Sequence, residues 1–503
     1  MASNDASPAP LEYDGKPMRR PLVNVSRRHL LTLPPVVAAM ATLAACGSST
    51  NQSPSTASAT PSMTGADGAT QAIAFHTDVE HQQVALEDAP ALGSAVAACH
   101  TLSEAMLRRQ LRDQPGGNAL ACPVGLSLAI ALLYAGSDAP GQGVDALLGT
   151  QEADASATAA PSTDGTMRDL TWSALQNSLL AYNPDEATLA AFDPDQIPND
   201  PLLHIANRVL LVGDDPEVEQ SYLDAAQQWY AATTEHAARE DAKAVLDAWA
   251  KLHTGGLIKE SGVEIQPQTR LVLQNALLFA AQWADIFMAE DTYEQDFTLL
   301  DGSTIQARLM HGEFFLTYAQ GDRWQAVRMP YLEASGTGSS DAGDDGDYHD
   351  RFVMDVILPD AGVALDELPE GTWAQATAEL TTSQAENAEN SKRVELALPT
   401  FDLESGTVDL LPLFPDLNVT LDSLDHIDTG LNVDQVVQQV RLMVKEEGTV
   451  AAALTEIGVG DSAPLEEDKP LEFIVDHPFS LRIVDTFTGL VLVEGVIVDP
   501  TPA

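Results

Sequence analysis

Cysteine is nearly missing from this chain: Cys46, Cys99 and Cys122 are all that 503 residues contain. Three thiols cannot build a disulfide scaffold. With no Cys-x-x-Cys pair and no Cys/His cluster, they do not read as a metal site either. Cys99 ("SAVAACHTL") and Cys122 ("NALACPVGLSLAIALL") lie in apolar, helix-like runs, so two buried free thiols are expected, although one Cys99–Cys122 bridge is allowed. Basic side chains are scarce as well, 25 Lys and Arg against 75 Asp and Glu, a formal net charge of −50. Such a surface repels polyanions, which argues against nucleic acid or an anionic membrane surface as a partner and for an acidic, solvated exterior. Aromatics make up 6%, but the apolar share of 45% suffices for a globular core, so disorder throughout is excluded.

Signatures of catalysis are absent too. There is no Gly-x-Ser-x-Gly, no His-Glu-x-x-His, no phosphate-binding glycine loop and no dinucleotide fingerprint. The acidic stretch "ASGTGSSDAGDDGDYHD" (334–350) offers Asp341, Asp345 and Gly346 to a calcium loop. It has Gly343 where a ligand is needed and Phe352 where the bidentate glutamate belongs, so it reads as a solvated loop. No enzyme, metal or cofactor is expected.

The N-terminus reads as an address. "SRRHLL" (26–31) starts an uncharged run, "LLTLPPVVAAMATLAAC", too short and too proline-broken to span a membrane comfortably. Arg27 and Arg28 resemble a twin-arginine export signal, and "LAAC" followed by Gly47 resembles a bacterial lipobox. Residues 1–45 are therefore expected as a signal and Cys46 as the lipidated first residue, with membrane contact through that anchor only. The Ser/Thr/Ala/Pro-rich residues 46–84 are expected as a disordered tether, with His76 and His81 solvated.

From residue 85 to 503 the pattern is α+β in one domain. "LGSAVAACHTLSEAMLRRQLR", "VGLSLAIALLYAGS" and "DAKAVLDAWAKLHTG" carry helical spacing. "RLVLQNALLFA", "FVMDVILPD" and "RVELALPTFDLES" read as strands, and "LRIVDTFTGLVLVEGVIV" as two antiparallel strands around a turn. Residues 153–165 and 334–350 read as surface insertions.

Seven segments, in order, resemble the serpin family over roughly 85–500: "LLHIANRVLL" with Asn207, "LVLQNALLFAAQWADIF" with Asn275 eight residues before Trp283, "RMPY", "FVMDVILPD", "VELALPTFDLES", "DHPFSLRIVDTFTG" and "EGVIVDP". "EEGTVAAA" falls between the right two. The resemblance implies a large central antiparallel or mixed sheet, additional sheets, eight to nine helices and an exposed reactive loop at about 446–472. It implies a suicide-substrate inhibitor whose loop a target serine protease cleaves and which then inserts into the central sheet, with no catalytic residue of its own. The hinge would be Glu446, Glu447, Gly448, Thr449, Val450, Ala451, Ala452 and Ala453.

The residues suit that use. Gly448 supplies a backbone pivot. Thr449, Ala451, Ala453, Thr455, Ile457 and Val459 are small or β-branched, right for a buried strand face. The alternate set includes Glu456, the one charge, so a one-residue slip would bury it. Thirteen steps from Thr449 to Ser462 would carry an attached protease about 43 Å at ~3.3 Å per residue. By the family's spacing the cut falls at Ser462–Ala463; counting back from "HPF" lands nearer Leu465, Glu466 or Glu467. No arginine lies in 449–476 and Lys469 is distant, so elastase-like or subtilisin-like targets are expected over trypsin-like ones.

The chain also departs from the family. Leu454 is bulky for its place. In the sheet-opening region, which holds Asn275 and Trp283, Cys122 and Gly125 stand where serines are common and Gln438 where a histidine is common. "AAFDPDQIPNDPLL" before the "IAN" segment is acidic, so no heparin-type cofactor is expected, and a monomer is. A non-inhibitory binding or adhesion protein on the same fold, or a cross-class inhibitor of cysteine proteases, are the rival readings.

Overall fold

The computed structural model describes residues 72–75, 77–151, 165–214, 216–333, 351–386, 391–449 and 469–501. The signal, Cys46, the tether through residue 71, His76, both insertions (except Gly165 at the edge of the first) and Val450 to Asp468 of the loop lie outside the described residues.

Nine α-helices lie among the described residues: α1 (Leu92–Asp113), α2 (Pro123–Leu133), α3 (Val144–Leu147), α4 (Met167–Leu180), α5 (Glu186–Ala190), α6 (Gln220–Tyr230), α7 (Arg239–His253), α8 (Thr372–Glu386) and α9 (Leu413–Asp416). Local chemistry sets their ends. Pro123 opens α2, where its missing N–H costs nothing. Thr166 caps α4, accepting from the Asp169 N–H at 3.1 Å while its hydroxyl donates to the Asp169 carboxylate at 2.7 Å. α7 carries Glu240 and Asp241 in its first turn and Lys251 and His253 in its last, each sign at the favourable end of the helix dipole.

The strands are β1 (Ile73–Ala74), β2 (Ala119–Ala121), β3 (Leu202–Val212), β4 (Thr233–Ala237), β5 (Leu271–Gln282), β6 (Thr292–Thr298), β7 (Thr304–Gly321), β8 (Trp324–Pro330), β9 (Phe352–Pro359), β10 (Ser391–Pro399), β11 (Phe401–Glu404), β12 (Val408–Asp409), β13 (Val437–Gln438), β14 (Arg441–Lys445), β15 (Gly448–Thr449), β16 (Leu471–Ile474), β17 (Phe479–Asp485) and β18 (Leu490–Ile497). A seven-stranded mixed sheet runs β1-β4-β3-β5-β15-β14-β11. A nine-stranded sheet runs β16-β10-β7-β8-β9-β17-β18-β2, with β6 on β7, and β12–β13 form a small third sheet. The "DTFTG" turn joins β17 to β18 as antiparallel neighbours.

β9, β17 and β18 are buried along their whole length, which accounts for their near-continuous apolar runs. The charges that do enter this core are paired: Arg328 with Asp355 at 2.7 Å and Arg482 with Glu494 at 3.1 Å.

Two expectations are corrected here. The domain begins before residue 85, because β1 pairs with β4 and the Phe75 N–H donates to the Thr234 carbonyl at 2.8 Å. His81 is half-buried and hydrogen-bonded rather than free in solvent: its ring nitrogens lie 2.7 Å from Asn177 Oδ1 and 3.0 Å from the Gln228 carbonyl. A two-residue edge strand leaves no periodicity to read. Cys99 is buried and Cys122 partly so, and both are free thiols; burial pushes each up to about 12.

Candidate functional site

β5 faces two ways. Phe279 and Ala281 pack into the main core with α2, while the alternate residues Val272, Leu278 and Ala280 pack beneath α7 and its neighbours. One long edge of β5 pairs with β3 from Leu271 to Ala280. The other edge is the unusual one. Among the described residues it pairs with β15 only through Ala281 and Gln282. β14, on the far side of β15, pairs with it only through Val444 and Lys445. Below this two-residue contact, a cavity of about 560 Å³ separates β5 from the chain leading into β14. Cys122, Gly125, Asn275, Gln438 and Thr449 all line it.

β15 holds Gly448 and Thr449, two of the eight expected hinge residues. Gly448 has φ +155°, and a Cβ there would lie 2.4 Å from the Ala281 carbonyl oxygen, so only glycine fits. Thr449 is buried, its Oγ1 2.7 Å from the Tyr331 hydroxyl. Tyr331 stacks on Trp283 with ring centroids 4.6 Å apart. The Trp283 indole donates to the Lys445 carbonyl at 3.0 Å, and its backbone N–H donates to the Glu447 carbonyl at 2.9 Å. The Phe287 N–H donates to the Glu446 carbonyl at 3.0 Å. Trp283 therefore holds the turn that leads into β15; it does not line the cavity.

At the cavity's α2 side the expected sheet-opening residues form two separate contacts. Gln438 clamps the Cys122 backbone, accepting from its N–H at 2.8 Å and donating to its carbonyl at 2.9 Å. Asn275 donates to Asn207 Oδ1 at 2.9 Å, and Asn207 donates to Gln176 Oε1 at 2.8 Å and to the Tyr230 carbonyl at 3.0 Å. Tyr230 in turn donates to Asp169 at 2.9 Å, and burial raises that carboxyl above its usual range. Gly125 makes room for Asn275: a Cβ on it would sit 2.6 Å from Asn275 Oδ1.

Sequence reasoning passed over Tyr331 as a hinge partner, although "RMPY" was visible. It also missed Gln435 and Gln439. Gln435 accepts from the Glu264 N–H at 3.1 Å and donates to its carbonyl at 2.7 Å, and Gln439 accepts from the Gly262 N–H at 2.7 Å. Isolated glutamines carry no signal until the fold puts a backbone beside them.

In the nine-stranded sheet, β16 pairs in parallel with β10, Leu471 opposite Val394 through Ile474 opposite Ala397.

A family model described as serpin, serine protease inhibitor, matches residues 97–500. A serpin-like protein of Thermococcus kodakarensis is 30% identical over 295 residues, 56% of this chain and 61% of that protein. Serpin-ZXA of Oryza sativa subsp. japonica is 32% identical over 276 residues, 51% of this chain and 63% of that one. The aligned region spans less than two thirds of those two relatives; for Serpin-Z4 of Hordeum vulgare, 26% identical, it spans 91% of that protein and 77% of this chain. Among solved structures, the thermophilic serpin tengpin in its native state has a TM-score of 0.62 at 20% identity, covering 85% of this chain and all of that one. Its latent state scores 0.56 at 18%, covering 80% of this chain and 97% of that one. The family-model match over residues 97–500, most of the chain, shows that this chain belongs to the serpin family.

Proposed function

We propose that this protein is an exported suicide-substrate inhibitor of serine proteases, tethered to the cell surface through Cys46. One observation carries the reading: the hinge is seated between β5 and β14 while the gap between them continues below as an open cavity. Cleavage within Ser462–Glu467 would free the segment after Thr449 to continue as a new strand. It would gain ladder hydrogen bonds on both edges while the acyl-enzyme is still intact. The nucleophile belongs to the protease. Small and apolar residues around the cut favour elastase-like or subtilisin-like targets. The acidic segment before β3 leaves heparin no role.

The experiment is a panel of purified proteases, scored by SDS-stable adduct and by sequencing the released C-terminal peptide. Ala451→Pro is the control. Proline lacks the N–H a central strand needs, so the variant should become a mere substrate, with about tenfold or more inhibitor consumed per protease silenced. If the proline variant traps protease as well as the parent, the inhibitory mechanism fails.

A further inference from the structure

The cavity beside β5 has a roof. Trp249 and Ala250 of α7, with Gly262 of the loop behind it, line one side, and Gly125 and Leu126 of α2 line the other. In the β15 register a strand continuing from Thr449 must place alternate side chains under α7, among them Leu454 and Glu456, so the face carrying Glu456 is covered by α7 rather than left to solvent as the sequence suggested. So α7 has to yield.

What holds α7 down is specific. On β3, His204 Nε2 lies 2.9 Å from His253 Nδ1 in the last turn of α7, the two rings stacked at 10°. His204 Nδ1 is buried and has no partner among the described residues, so this one bond is what the ring contributes there. His253 also packs on Trp249, centroids 4.4 Å apart. Four residues along β3, Arg208 donates to the Val245 carbonyl at 3.1 Å and lies over Trp249. At the opposite wall, Gln435 and Gln439 grip the backbone of Glu264 and Gly262.

We propose that the His204–His253 hydrogen bond is an acid-released latch on α7, and that its release speeds insertion of the segment after Thr449. The inference rests on the inhibitory reading above. Between two neutral rings, one N–H donates and one nitrogen accepts. Two imidazolium rings can only donate, and would face each other proton to proton. The charged group facing the pair is Arg208, whose own charge is met by Glu235 at 3.1 Å and which also bears on His253. β5 presents Leu278, the register partner of His204, and α5 presents Leu189 in the same apolar cluster. No carboxylate comes from those two sides to compensate. Burial first, and for His253 the neighbouring positive groups next, lower both histidines to about 4. The latch is therefore closed at neutral pH and opens as pH falls toward 4.

The full chain, nicked in its loop by a protease it does not inhibit, would be followed by its gain in thermal stability with time from pH 7 to pH 4. The parent should convert about tenfold faster at the acid end. His253→Phe keeps the stacking and removes the bond; it should convert fast at every pH. Gln435→Ala cuts the opposite tie and should be faster throughout with the parent's pH slope unchanged. A parent rate flat with pH, or a His253→Phe variant that keeps the parent's profile, would overturn the latch. An independent readout is Trp249 emission in the uncut protein, taken as parent minus Trp249→Phe, which should be quenched with a midpoint near 4. No such transition also overturns the latch. Quenching without any gain in stability after nicking leaves the latch standing and removes the inhibitory reading instead.

Discussion

Thr449 and Tyr331 meet through a 2.7 Å hydrogen bond between two buried hydroxyls, joining the second residue of the hinge strand to the end of β8. Tyr331 is otherwise held by stacking on Trp283 and by edge contact with Phe279, 5.0 Å between centroids. β15, the proposed hinge, is thus docked by an aromatic cluster and two strand edges. Tyr331→Phe leaves the Thr449 hydroxyl buried without this partner and should cost about 1–2 kcal/mol in thermal or denaturant unfolding. Thr449→Val in the same background should recover much of that loss. A non-additive pair of this kind would confirm the coupling, and strict additivity would refute it.

Gly125→Ser restores the residue type common in the family and is nevertheless expected to harm this chain. Its Cβ would fall 2.6 Å from Asn275 Oδ1 and 3.0 Å from Cys122 Sγ. Asn275 must then swing away from Asn207, leaving a buried amide oxygen unpaired at a cost of about 1–3 kcal/mol. A melting temperature at or above the parent's would show that Asn275 has another home.

The hinge fixes a register that can be carried down β5. With Gly448 opposite Gln282 and Thr449 opposite Ala281, an inserted strand brings Thr455 opposite Asn275 and Glu456 opposite Gln274. Gln274 already accepts a hydrogen bond from Arg208, whose buried Nε has no partner among the described residues. Glu456 would bring a carboxylate into that row. Glu456→Gln should lower the stability of the loop-cleaved form by about 1–3 kcal/mol and leave the uncut form nearly unchanged. Equal effects on both forms would mean a different register.

Acid should destabilise the fold through its buried histidines. His100, His204 and His253 are each lowered from 6.5 to about 4, mainly by burial. Between those values the unfolded chain binds protons that the folded chain refuses, so stability falls as pH drops from about 6.5 toward 4, by roughly 3 kcal/mol per histidine. Asp169 and Glu494 work in the opposite sense: burial raises their carboxyls, so the folded state takes up protons first and gains. The histidine part is isolated by His253→Phe, which should flatten the fall in melting temperature between pH 7 and pH 5. An unchanged slope would assign the loss elsewhere.

The sequence by itself determined the elements and the family. α1 and α7 show as 3.6-residue periodicity because each buries one face, and α2 as a continuous apolar run because it is buried nearly all round. β5, β9, β10 and the β17–β18 hairpin show as β-branched runs bounded by turn residues. Gly448 was legible because a glycine before a run of small residues has a backbone reason to be there, and φ +155° is that reason. The order of the family segments was legible for the same cause: each is a strand whose burial restricts what can stand in it.

Tertiary structure alone decided what each polar residue touches. Gln438 binds the Cys122 backbone across 316 positions and His204 meets His253 across 49; no local pattern encodes such partners. Gly125 reads as a lost serine in the sequence and is, in the fold, the space that Asn275 fills. β1 is two residues long and exists because the edge of β4 is there to pair with it. Propensity and periodicity act over a few residues, whereas a hydrogen-bond partner, a cavity wall or a sheet edge is supplied by chain folded back from far away.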